Sequence, residues 1–247
     1  MIIFPDIELM DGKCVNLHHG HLEDPIHYDV DPVETALRFV EQGATNLHLV
    51  DLDGVVQGGK HNADVICEVI EKSGVPVQVG GGIRTMASAQ WWFDHGVKRI
   101  VLGTAAVMDR HFLQEVCAHY PGQVVASIDA KDNHVMVNGW RESTAFSPLE
   151  VGHALQDSGI CALIYTDINY DIDHAEATLA TTTQMASELR IPVISSGTVK
   201  GLDDISRLQL LPNIAGAIVG RALFNGAVSL EDALKVASQD VPKPAMM

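Results

Sequence analysis

The sequence predicts an α/β fold in which eight parallel strands alternate with helices and close into a barrel. Three observations carry that prediction. Short runs rich in Val and Ile recur eight times between longer amphipathic stretches. Those runs are buried and non-alternating, the pattern of strands covered on both faces. The length of 247 residues matches the ~250 typical of a closed barrel of eight strand–helix units. Strands are expected near residues 2–9, 46–52, 75–80, 98–103, 122–129, 161–167, 191–196 and 215–220. Helical patterns fall between them. Two examples, "DPVETALRFVEQG" and "SPLEVGHALQDSG", each carry a cap residue and a closing Gly. No linker divides the chain, so 1–247 is read as one (βα)8 or TIM barrel.

A coarser repeat lies within this pattern. "VDLD" (50–53) is followed by "VGGGIR" (79–84) and "IVLGTAAV" (100–107). Later, "TDIN" (166–169) is followed by "SSGTVK" (195–200) and "AIVGRALF" (217–224). Asp51 to Gly81 spans 30 residues, and so does Asp167 to Gly197. The first strands of the two sets also match, one ending in Glu8 and the other in Asp129. The chain is therefore read as two half-barrels, about 1–120 and 121–240, with a short tail at 239–247.

These motifs fall at the C-terminal ends of strands, the rim that carries the active site in this architecture. A Gly-rich turn there presents backbone N–H groups to an anion. Gly81 and Gly82, paired with Gly103 and Thr104 one unit later, form one candidate phosphate cradle. Gly197 and Thr198, paired with Gly220 and Arg221, form the second. Two cradles across one barrel mouth imply a ligand with a phosphate at each end. Glu8 and Asp129 take equivalent places between them, and two facing carboxyls suit general acid–base chemistry. Asp6 and Glu8 are two apart in "PDIEL", so a strand directs both to one face. Trp140 follows a hairpin pattern, "AKDNHVMVNGW", and is placed on a substrate-covering loop.

The formal net charge of −16 argues against non-specific nucleic-acid binding. No apolar run approaches the ~18 residues of a membrane span. The start lacks a basic segment followed by a long apolar run, so no secretory signal is expected. Four scattered cysteines point to free thiols in a reducing cytoplasm. "HHGH" (18–21) is read as a polar loop after the first strand rather than a metal site, and "WWF" (91–93) as helix packing.

Taken together, "PDIELMDGKCVNL", "LHLVDLDG", "PVQVGGGIRT", "IVLGTAAV", "YTDI", "IPVISSGTV" and "GAIVGRALFNG" closely resemble the HisA family of histidine-biosynthesis isomerases over about residues 1–238. The resemblance implies a monomeric barrel that performs an Amadori rearrangement on a bis-phosphorylated substrate, phosphoribosylformimino-AICAR ribonucleotide (ProFAR), with no metal or organic cofactor. It places the catalytic base at Glu8, the acid at Asp129 and an assisting residue at Thr166.

Several positions depart from the family pattern. Glu8 stands where the family has Asp, Asp6 where it has a small apolar residue, and Asn16 where it commonly has Arg. Thr198 replaces a second Gly, and Ile172 occupies the position of a Gly. Beside ProFAR isomerisation, the residues leave open a paralogue acting on another phosphosugar and a non-catalytic phosphosugar-binding barrel. Arg141 beside Trp140 leaves open a second, anthranilate-bearing substrate. The sister cyclase shares the half-barrel repeat but has a different first-strand pattern, resembling "CLDV".

Overall fold

A computed structural model describes residues 1–18, 20–169 and 175–239. Among them the strands are β1 (Ile2–Met10), β2 (Lys13–His18), β3 (His21–His27), β4 (Leu47–Asp51), β5 (Val77–Gly80) and β6 (Arg99–Leu102). They continue as β7 (Val124–Lys131), β8 (His134–Val137), β9 (Glu142–Ser143), β10 (Ala162–Asp167), β11 (Val193–Ser196) and β12 (Ile214–Val219). Eight of these pair in parallel as a closed ring, in the order β1, β4, β5, β6, β7, β10, β11, β12 and back to β1. The fold is the expected (βα)8 TIM barrel, and its strands begin and end within two residues of the expected positions.

The alternation of side chains along β1 shows how the barrel divides its contents. Ile3, Ile7 and Leu9 point outward into the core shared with the helices. Phe4 points inward, where it packs with Val101, Val125, Ala162, Ile164, Ile194 and Ile218. Asp6 and Glu8 follow Phe4 on the same face, so the barrel interior turns from apolar to polar toward its C-terminal rim.

Both helices singled out in the sequence form. Asp31 caps Pro32–Glu41 by accepting from the Glu34 N–H, and Ser147 and Glu150 make a reciprocal capping box at Pro148–Leu155. The second helix ends before its expected Gly159, because a turn with Ser158 N–H bonded to the Leu155 carbonyl intervenes.

The segment after β1 goes beyond expectation. Around the polar turn expected at "HHGH", which joins β2 to β3, it forms an antiparallel excursion in which β2 pairs with the end of β1 (Glu8 opposite Val15) and β3 pairs with β2. Asp11 and Gly12 both adopt positive φ (50° and 71°), which reverses the chain tightly, and Cys14 and Val15 are fully buried on its two faces. The expected hairpin after Asp129 is present, with β7 and β8 joined at Asp132 and Asn133, again at positive φ. Trp92 of "WWF" is fully buried.

His19 of the histidine cluster, Ile172 and tail residues 240–247 lie outside the described residues. Among those described, no group of three or more His, Cys, Asp or Glu is arranged to hold a metal ion. Likewise, no helix there is long and apolar enough to cross a membrane.

Candidate active site

Two of the adjoining cavities at the C-terminal rim of the barrel meet over the first strand. The larger, about 230 Å³, reaches Gly81, Gly82, Gly103 and Thr104 on one side. The smaller, about 150 Å³, reaches Gly197, Gly220 and Arg221 on the other. Asp6, Glu8, Leu17, Thr166 and Ser196 line both, so the two lobes meet over the first strand.

The glycines of the first cradle are required by close backbone approach. Gly81 has φ +109°, and a Cβ there would collide with the Asp51 carbonyl oxygen; at Gly82 it would collide with the Gly54 carbonyl. Asp51 is fully buried and pins the turn it begins. Its Oδ1 accepts from Gly54 N (2.9 Å) and Asn62 Nδ2 (2.6 Å), and its Oδ2 from His61 N (2.8 Å). Thr104 also ties the cradle to the hairpin beyond β7, because its Oγ1 accepts from Asn138 N at 2.8 Å.

The second cradle retains Gly197 (φ +73°), Gly220 and Arg221 at the cavity wall. Thr198 does not present its side chain there. It is 1% exposed and its hydroxyl shares a 2.7 Å hydrogen bond with Ser195 Oγ, because the turn at Gly197 returns the chain beneath the strand.

Between the cradles stand the two carboxyls. Glu8 Oε2 accepts from Asn16 Nδ2 (2.9 Å) and from Leu17 N (3.3 Å), both on β2. Burial raises the Glu8 pKa; those two hydrogen bonds oppose the rise and the Asp129 charge adds to it. Asp129 Oδ1 accepts from Ser127 Oγ (3.2 Å) and Oδ2 from Trp140 Nε1 (3.0 Å). Its pKa is likewise raised by burial, against the lowering effect of Trp140, Thr166 and Ser127. Thr166 is register-paired with Asp129 on the neighbouring strand. Trp140, at φ +61°, lies against Gly20 of the β2–β3 excursion and forms part of the cavity wall.

The floor holds residues not singled out in the sequence. His48 is buried beside Gln78, with Nδ1 2.9 Å from Gln78 Nε2. Burial, followed by the nearby Arg99 charge, lowers the His48 pKa to about 3, so it is neutral near pH 7. Their signal was present in "LHLVD" and "PVQVG", where one polar residue interrupts each apolar strand at an inward position. Ser127, two residues before Asp129, is the matching signal on β7.

The fold and site together define a (βα)8 barrel whose rim cavity carries two opposed carboxyls flanked by glycine turns. A family model described as "Histidine biosynthesis protein" matches residues 2–229. The chain belongs to that family. It is 44% identical over 238 residues to a Ruegeria pomeroyi protein named 1-(5-phosphoribosyl)-5-((5-phosphoribosylamino)methylideneamino) imidazole-4-carboxamide isomerase 2, covering 96% of each chain. It is 43% identical to the isomerase 1 of that name from Ruegeria sp. strain TM1040, covering 99% of this chain and 98% of the relative. The isomerase of that name from Syntrophus aciditrophicus is 44% identical, with 96% of this chain and 99% of the relative covered.

Proposed function

We propose that this chain isomerises ProFAR, the aminoaldose its relatives are named for, to the corresponding aminoketose, with Glu8 as base and Asp129 as acid. The observation that carries the reading is the placement of these two carboxyls in one rim cavity, with a glycine-lined lobe toward each side. Gly81, Gly82, Gly103 and Thr104 would hold one phosphate, and Gly197, Gly220 and Arg221 the other. Protonated Asp129 gives its proton to the ribose ring oxygen as the C1–O bond breaks and the nitrogen lone pair forms the C=N bond. Glu8 then removes the proton from C2, and the electron pair moves to form the enolamine, which tautomerises to the ketose.

Raised pKa values serve both roles. Asp129 keeps its proton into a higher pH range, and Glu8 becomes a stronger base than an exposed carboxylate. Thr166 supports Asp129 from the adjacent strand, and Trp140 orients it from above. No cofactor is needed for this proton chemistry. The enzyme would work as a single chain, in the cytoplasm, on a bis-phosphorylated substrate. The test is turnover of ProFAR, coupled to the enzyme that consumes the ketose. Turnover that Asp129→Asn abolishes supports the assignment; folded protein that binds ProFAR without turnover defeats it.

A further inference from the structure

Asp6 and Asn16, two of the positions where the chain departs from the family pattern, are neighbours in space. A Cβ on Gly220 would lie 3.0 Å from Asp6 Oδ2 and 3.4 Å from Asn16 Nδ2, so both side chains close on the same backbone point. Asn16 Nδ2 is also the donor to Glu8 Oε2. Asp6 is 8% exposed, and both Asp6 Oδ1 and Asn16 Oδ1 are buried without a hydrogen-bond partner. A carboxylate is costly in such a place, whereas the neutral acid is far less so.

We propose that Asp6 is a positioning residue that acts on Glu8 through Asn16: as a neutral acid it leaves the Asn16 amide committed to Glu8, and as a carboxylate it competes for that amide. The inference rests on the assignment of Glu8 as base. Asp6 faces Glu8 on its own strand, His48 at the paired position on β4, Asn16 on β2 and the Gly220–Arg221 turn after β12. Asp129 from β7 shares the cavity, and Tyr28 lies within electrostatic reach of Glu8 and Arg221. His48 is neutral and supplies no charge to hold Asp6 ionised. Burial first, and the Glu8 charge second, hold the Asp6 carboxyl well above the usual carboxylate range. Glu8 Oε2 accepts two hydrogen bonds whereas Asp6 Oδ1 accepts none, so Glu8 ionises before Asp6 and base strength is set on the outer acid. A merely structural Asp6 would leave the pH dependence of turnover untouched.

The experiment combines kcat–pH profiles of the wild type and Asp6→Asn with carboxyl-carbon NMR titrations of Asp6 and Glu8 in the wild type and Glu8→Gln. The expected result has Glu8 titrating below Asp6, and, on the alkaline side, a fall in kcat that coincides with the Asp6 titration and is separate from the limb set by Asp129. Asp6→Asn, which cannot ionise, should move that fall upward by at least about one pH unit. Glu8→Gln should lower the Asp6 titration. Asp6→Ala is the second variant should Asp6→Asn not fold, with the same upward movement expected. The proposal is overturned if Asp6 titrates with or before Glu8, if the alkaline fall is absent, or if it stays in place in the Asp6 variants. Failure of the underlying assignment is read separately: a Glu8→Gln enzyme with near-wild-type kcat removes Glu8 as base, and the proposal with it, whatever the order of the NMR titrations.

Discussion

Trp140 Nε1 donates a 3.0 Å hydrogen bond to Asp129 Oδ2, joining the cavity wall to the carboxyl assigned as the acid. The hairpin that brings Trp140 back is itself anchored at Thr104 through Asn138 N. One loop thus forms part of the cavity wall, bonds to Thr104 and donates to Asp129.

A donor to the charged form favours ionisation, so Trp140→Phe should raise the Asp129 pKa further. The acid would then keep its proton to higher pH. The alkaline limb of kcat/KM attributed to Asp129 should move upward, and KM should rise through the changed wall. A pH profile with the limb unmoved would remove the hydrogen bond from the tuning of the acid.

Asp129→Asn preserves shape while removing the transferable proton. kcat should fall by on the order of 10²- to 10⁴-fold, with the bis-phosphate product still bound in calorimetry. A kcat within about tenfold of wild type would take Asp129 out of the mechanism.

Glu8→Asp restores the residue usual in the family but shortens the arm. Glu8 Oε2 reaches donors on β2 at 2.9 and 3.3 Å, contacts that a side chain one methylene shorter would lose. A misplacement of about 1 Å corresponds to a loss on the order of a hundredfold in kcat, with KM little changed. Steady-state kinetics decide this, and equal or higher activity would show that the β2 contacts do not set the position of the base.

His48 makes folding stability pH-dependent. Its folded pKa, about 3, is depressed below the ordinary 6.5, so the unfolded chain takes up the proton first as pH falls. Its contribution is fully present above pH 6.5 and is lost as pH drops toward 3. The loss reaches at most about 5 kcal/mol. Urea unfolding across that range should show the slope in the wild type and a shallower one in His48→Leu. Identical slopes would mean that His48 stays neutral for no energetic consequence.

Gly81→Ala should destabilise the fold by at least about 3 kcal/mol. The position combines φ +109° with a collision against the Asp51 carbonyl, and neither can relax without moving the turn after β4. Urea midpoints at constant m-value would measure it, and a change below about 1 kcal/mol would show that the turn yields.

Much of this was legible before folding was considered. Glu8 and Asp129 sit at strand ends because the apolar periodicity of "MIIFPDIEL" and "VVASID" places them there, and two-residue alternation assigns Asp6 and Glu8 to one face. The glycines of the cradles declare themselves by type and spacing. The β2–β3 excursion was harder to read: "MDGK" carries the Asp-Gly signal of a hairpin, but "HLEDPIH" is polar and contains Pro25, which hides the third strand.

The sequence by itself determined the eight strand–helix units and the rim on which the chemistry-bearing residues lie, since these depend on local periodicity and turn chemistry. Only the tertiary structure decided which of them touch. His48 meets Gln78 across 30 residues, Asn16 reaches back to Glu8, and Asp6 closes on Gly220 from the far end of the chain. The first and last exist because closing the barrel brings the inward faces of β1, β4, β5 and β12 to one interior, and the second because β2 folds back on β1; burial there makes each unpaired polar atom costly. That cost, absent in the open chain, is what raises the Asp6 pKa and lowers that of His48.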